Sequence, residues 1–334
     1  MKLSVCHLVA SLVLCLTSLG NALPSTDLLS KRAGRTSPPT GCSSVGSGRQ
    51  YGTITQAIDA LGSGTSAACI FIYPGTYTVV DGVSIRYKGP LTLYGATPDI
   101  SKQSANQVTF TRNKGSYDAG SLDASSTFNI VSSNFRAYNI NFRNTYGTQG
   151  QAVAVTANGD KQGYYACGFY GYQDTLYAKS GRQYYSNCYV EGAVDFIFGF
   201  AAAWFGECTI ASNGGGYITA SSRGTTADDV WYVFDHSTIR AATGYNLAGK
   251  VFLGRPWRVL ARVIYQNSVL TDVVHPEGWT TMAQGATPEF REFQNTGAGS
   301  NTAQRKWLTS PTTAGVSKSQ LWGSDWGTWI DTTW

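Results

Sequence analysis

The sequence is poor in charge. Asp, Glu, Lys and Arg make up 13% of its 334 residues, against roughly 25% in a typical soluble domain. No cluster of Lys or Arg offers the electrostatic footprint that nucleic-acid binding requires. Histidine is scarce as well: of three in all, only His236 and His275 lie beyond the first 32 residues. Neither stands beside a suitable serine, and no G-x-S-x-G elbow occurs, which argues against a Ser-His-Asp hydrolase. There is no Asn-x-Ser/Thr sequon, so N-glycosylation is not expected. Long hydrophobic runs are missing too. The one extended apolar stretch, Leu3 to Leu19, is interrupted by His7, Ser11, Thr17 and Ser18, whereas a membrane span needs about 20 strongly apolar residues.

That stretch follows the basic start Met1-Lys2 and precedes Gly20-Asn21-Ala22, the form of a secretory signal peptide over residues 1–22. Residues 23–32 end in Lys31-Arg32 and read as a propeptide, leaving a single domain over 33–334 in a secreted, extracellular protein. Removing Lys2, Lys31 and Arg32 together with Asp27 lowers the formal charge from +5 to about +3. Such a mild basic bias favours an anionic polymer at low salt. Five cysteines then remain, Cys42, Cys69, Cys167, Cys188 and Cys208. In an oxidising compartment they suggest two disulfides and one free thiol, and their spacing fits no metal finger.

What the sequence does have is a period. Helical patterning is confined to Tyr51 to Gly62, where Ile54, Ile58 and Leu61 share a face, Thr53 can cap the start and Gly62 can end it. The remainder is short runs of β-branched and aromatic residues broken by Gly, Asn and Ser. Aligning NINF, ACGF, NCYV, ECTI, HSTI and QNSVL matches Ile140, Cys167, Cys188, Cys208, Ser237 and Ser268, at intervals of 27, 21, 20, 29 and 31 residues. A base step near 20 with occasional insertions is what a parallel β-helix produces, a solenoid whose matched residues lie about 4.8 Å apart on neighbouring coils. The early helix would cover the first coil and protect its open edge. A β-sandwich of antiparallel hairpins gives no reason for the cysteines to recur at 21 and 20. In the solenoid Cys167, Cys188 and Cys208 stack, so that either neighbouring pair could bond, while Cys42 and Cys69 bracket the helix and form the other pair.

Applied to GYQDTLYAKSGRQYYSNCYVEGAVDFIFG, the period builds a site. Asp174 lies seven residues after Cys167 and Asp195 seven after Cys188, which puts two carboxylates side by side on adjacent coils. Gln151 and Gln173, separated by 22, are likewise one coil apart. Two close carboxylates separate their pKa values, giving one acid and one base, and a nearby arginine decides which stays charged. Arg255, in the turn Gly254-Arg255-Pro256-Trp257, is the best placed. The two amides are uncharged donors suited to an oxyanion. One conflict arises: adjacent Gln173 and Asp174 point to opposite faces of a regular strand, so both can line one site only if the chain bends at Asp174-Thr175. Singly, each residue has an ordinary role: a turn aspartate, a buried hydrogen-bonded aspartate, a structural ion-pair arginine, an amide ladder, core aromatics. Their joint spacing points to chemistry.

At these residues the chain resembles the pectin methylesterases (pectinesterases), carbohydrate esterases of the right-handed parallel β-helix type. The matching motifs are Gly75-Thr76-Tyr77, Gln151-Ala152-Val153-Ala154-Val155, Gly171-Tyr172-Gln173-Asp174-Thr175-Leu176-Tyr177, Asp195-Phe196-Ile197-Phe198-Gly199, Leu253-Gly254-Arg255-Pro256-Trp257 and Asn295 to Ser300. The resemblance implies hydrolysis of C6 methyl esters of homogalacturonan to pectate and methanol. It implies Asp195 as nucleophile, Asp174 as acid and then base, Gln151 and Gln173 as oxyanion donors, and Arg255 as the orienter of Asp195. Trp257, Tyr177 and Phe198 would contact the sugar chain. It implies methyl-esterified pectin as partner, no metal or organic cofactor, no nucleic acid or membrane, and a monomer. Two departures stand out: Val79 occupies a place where the family often has Glu, and Arg258 to Arg262 follows no common pattern. The competing readings are a backbone-cleaving β-helix enzyme, a polygalacturonase or lyase, and a non-catalytic carbohydrate-binding solenoid. A glycosidase would also use two carboxylates. A lyase would show an acidic calcium cluster, which the isolated pair Asp228-Asp229 does not supply.

Overall fold

Every one of the matched positions follows a corner. In the computed structural model, which describes residues 33–309 and 312–334, Asn139, Ala166, Asn187, Glu207, His236, Asn267 and Gln294 all have φ between 47° and 57°. A left-handed residue turns the chain sharply, and Asn is among the few non-glycine residues that adopt this conformation readily. The strand starts just past these corners pair in parallel register, Asn141 with Gly168, Gly168 with Tyr189, Tyr189 with Thr209, Thr209 with Thr238 and Thr238 with Val269. Each interval in the sequence is therefore one coil. The expected signal peptide and propeptide, residues 1–32, lie outside the described residues.

The coils stack into a parallel β-helix. One sheet runs through ten strands in chain order, from Ser43–Val45 and Ala68–Ile72 to Arg262–Gln266 and Glu289–Phe293. A second, larger sheet carries the other faces of each coil. Between them runs an aromatic ladder. Tyr164, Tyr185, Phe205, Phe234 and Tyr265 stack in register with ring centroids 4.9, 4.5, 4.7 and 4.4 Å apart. Stacked pairs of this kind contribute about 0.5–1.5 kcal/mol each beyond their buried area, and with one residue contributed per coil they fix the register of the whole stack. The helix Ile54–Asp59 closes the first coil as its pattern requires. Thr53 and Gln56 form a reciprocal capping box, and Ile54 and Ala57 are buried against the core.

The cysteines depart in part from expectation. Cys42 and Cys69 are bonded, but Cys167, Cys188 and Cys208 are all free and buried. A disulfide draws Cβ atoms to about 3.8 Å, whereas in-register side chains on neighbouring coils keep the strand spacing of about 4.8 Å. Each thiol points instead at backbone carbonyls, Cys188 at those of Tyr164 and Ser186, both at 3.4 Å. Burial pushes the Cys188 thiol well above its ordinary value, which makes it inert.

Candidate active site

The conflict between Gln173 and Asp174 is resolved by the backbone. Asp174 has φ +64° and Asp195 φ +47°, so the backbone bends at each aspartate, Asp195 lying in a register break within the strand Tyr189–Gly199. Gln151 bridges Gln173, and Gln173 bridges Val194, in parallel. Asp174 and Asp195 therefore follow equivalent rungs on adjacent coils. The Asp174 amide donates to the Val194 carbonyl at 3.1 Å, tying the two bends together. Holding a non-glycine residue left-handed costs roughly 1–2 kcal/mol, and surrounding structure must enforce it.

The cation comes from two coils beyond Asp195. Strand Val251–Pro256 pairs with Thr209–Ser221, Ala220 opposite Arg255. Gly254 is required there, because a Cβ at that position would lie 2.0 Å from Thr219 Oγ1. From this close approach Arg255 donates Nε to Asp195 Oδ1 at 2.9 Å and an Nη to Oδ2 at 2.7 Å. Its guanidinium lies 3.9 Å from the centroid of the Tyr217 ring, a cation–π contact that limits its motion. A bidentate fork of this kind fixes both the position and the orientation of the carboxylate.

The two aspartates differ in environment. Both are buried, at 3% exposure for Asp174 and 7% for Asp195, but only Asp195 has a cation on both oxygens. Burial pushes Asp174 up to about 8, and the charge of Asp195 adds to it; the Gln151 hydrogen bond and Arg255 offset part of the rise. This geometry holds a carboxyl group that keeps its proton near neutral pH next to an aspartate held on both oxygens by arginine.

Gln151, Asp174, Asp195, Phe198 and Trp257 line one pocket. Tyr177 stacks on Phe198, its register neighbour, at 4.3 Å and 11°, and Trp257 tilts over both at 5.9–6.5 Å. The eight residues expected from the sequence thus converge on one side of the solenoid; Gln173 is placed there by its rung between Gln151 and Val194. The histidines stay apart from it. His236 is a corner residue with its Nδ1 3.0 Å from Asp235, and His275 stacks on Phe252 at 4.3 Å. Spacing missed Tyr217, Leu122, Ala220 and Met282, the last three also lining the pocket. Ala220 could have been found by counting one coil from Phe198; Met282 carried no signal.

A family model described as Pectinesterase matches residues 42–322. The chain belongs to the pectinesterase family. A pectinesterase is a carboxylic ester hydrolase, and the family model spans nearly all of the described chain. Pectinesterase A of Emericella nidulans is 57% identical over 301 residues, covering 90% of this chain and 92% of the relative. The crystal structure of the pectin methylesterase from Aspergillus niger superposes with a TM-score of 0.88 at 57% identity, over 90% of this pectinesterase and 100% of that chain. The carrot pectin methylesterase, at 29% identity, gives 0.76 over 83% and 90% of the two chains.

Proposed function

We propose that the protein is a secreted, monomeric pectin methylesterase, hydrolysing C6 methyl esters of homogalacturonan through an acyl-enzyme on Asp195. One observation carries the reading: a carboxylate held on both oxygens by Arg255 stands beside a buried Asp174 whose proton is retained up to about pH 8. Asp195 attacks the ester carbonyl carbon, and the oxyanion that forms accepts hydrogen bonds from the Gln151 and Gln173 amides. As the tetrahedral species collapses, Asp174 gives its proton to the departing methoxy oxygen and methanol leaves. The residue is left as a carboxylate in a site that disfavours its charge, hence a strong base. It takes a proton from water, the hydroxide adds to the acyl carbon, and the bond to Asp195 breaks to release the galacturonate carboxyl. Trp257, Tyr177 and Phe198 supply flat apolar faces for the sugar rings.

Incubation with methylated pectin tests this. Methanol and acid should appear without new reducing ends; chain scission without methanol would replace the reading with backbone cleavage, and neither would leave a binding solenoid. Secretion with loss of residues 1–32 belongs to the same proposal, and the mass of the secreted protein should start it at Ala33.

A further inference from the structure

The segment after Trp257 takes no part in the reaction above. Arg258 is exposed there, and among the described residues its guanidinium has no hydrogen-bond or ion-pair partner. Three other cations have partners. Lys179 pairs with Asp123 at 2.5 Å, Arg255 holds Asp195, and Arg223 donates to the carbonyls of Asp228 and Leu260 at 2.6 and 3.1 Å. Arg258 is nevertheless held in place, its amide donating to Ser221 and its carbonyl accepting from Ala261. Its charge reaches Tyr177, where burial raises the phenol and Lys179 and Arg258 oppose the rise. An unpaired charge is therefore carried one residue past Trp257, whose ring tilts over Tyr177 and Phe198.

We propose that Arg258 is a specificity-determining residue that binds the free C6 carboxylate of an already demethylated unit near the reacting ester. The inference rests on the pectin methylesterase reading. Each turnover replaces a neutral ester by a carboxylate, and only the carboxylate offers a guanidinium two anionic oxygens. Pectin that is partly demethylated should then be a better substrate, per ester, than fully methylated pectin.

The test is methanol release, as kcat and KM per ester, on fully methylated and on partly demethylated homogalacturonan at low ionic strength. Wild type should favour the partly demethylated polymer by roughly three- to fivefold, the range of a solvent-exposed charge pair, and about 0.5 M salt should erase the preference. Arg258→Gln should lose it through KM, while Arg258→Lys should keep part of it. The inference is overturned if wild type shows no preference, if Arg258→Gln retains it, or if that variant slows both substrates equally, as a structural role would. Wild type releasing no methanol would sink the esterase reading instead; methanol release with an unmoved ratio sinks only the role of Arg258.

Discussion

Asp174→Asn separates what the site needs for chemistry from what the fold needs for stability. The folded protein pushes this carboxyl from an ordinary 3.8 to about 8, mainly by burial. A group whose folded pKa is raised contributes stability that is fully present below the unfolded value and is lost as pH rises towards the folded one. Each unit corresponds to about 1.4 kcal/mol, so at pH 7 the ionisable Asp174 disfavours the folded state by up to about 4 kcal/mol. An asparagine has the size of the neutral acid and does not titrate. The variant should equal wild type in stability near pH 4 and exceed it progressively up to pH 8, by a few degrees in Tm for a chain of this size. Urea or thermal unfolding at pH 4, 6 and 8 reads the difference, and methanol release should be nearly abolished throughout. A variant offset that is the same at pH 4 and pH 8 would refute the reasoning, because burial of the carboxyl would then not be its cause.

In wild type, kcat/KM should fall as pH rises through about 8, where free Asp174 loses the proton it must donate; a pH–rate profile flat to pH 10 would contradict that role. Arg255→Lys should lower kcat by about two orders of magnitude or more in initial-rate assays, since a single ammonium cannot hold both Asp195 oxygens. Thiol titration of the chain from Ala33 should find three reactive groups in denaturant and none in the folded protein, matching one disulfide and three buried thiols. Removing the Cys42–Cys69 link, which closes 27 residues of chain, should destabilise by roughly 3 kcal/mol in denaturant unfolding. Tyr185→Ala, in the middle of the buried aromatic ladder, should destabilise by about 3–5 kcal/mol.

The coil length was legible because stacking repeats a chemical demand. Each turn needs a corner residue that tolerates positive φ and an inward residue after it, so Asn139, Asn187 and Asn267 mark the period directly, while Ala166, Glu207 and His236 fill the same corner without advertising it. The aspartate pair followed from the same step. The bends at Asp174 and Asp195 were not legible, since local sequence allows aspartate in either strand or left-handed conformation and the packing decides. Tyr217 was hidden for a related reason: register shifts on both sides of Val194 break the count that would have set it beneath Arg255. Cysteine pairing failed because a recurring step reports that side chains are neighbours, not that their Cβ atoms can close to disulfide distance.

The most direct test is the initial rate of methanol release by Asp195→Ala, with Asp195→Asn as a companion that keeps the side-chain volume beside Arg255, both checked for wild-type circular dichroism. If Asp195 is the nucleophile, folded variants of either kind release methanol from methylated pectin at least about a thousandfold more slowly than wild type. Folded variants working within tenfold of wild type would contradict the acyl-enzyme and return Asp195 to the role of a buried ion-pair partner.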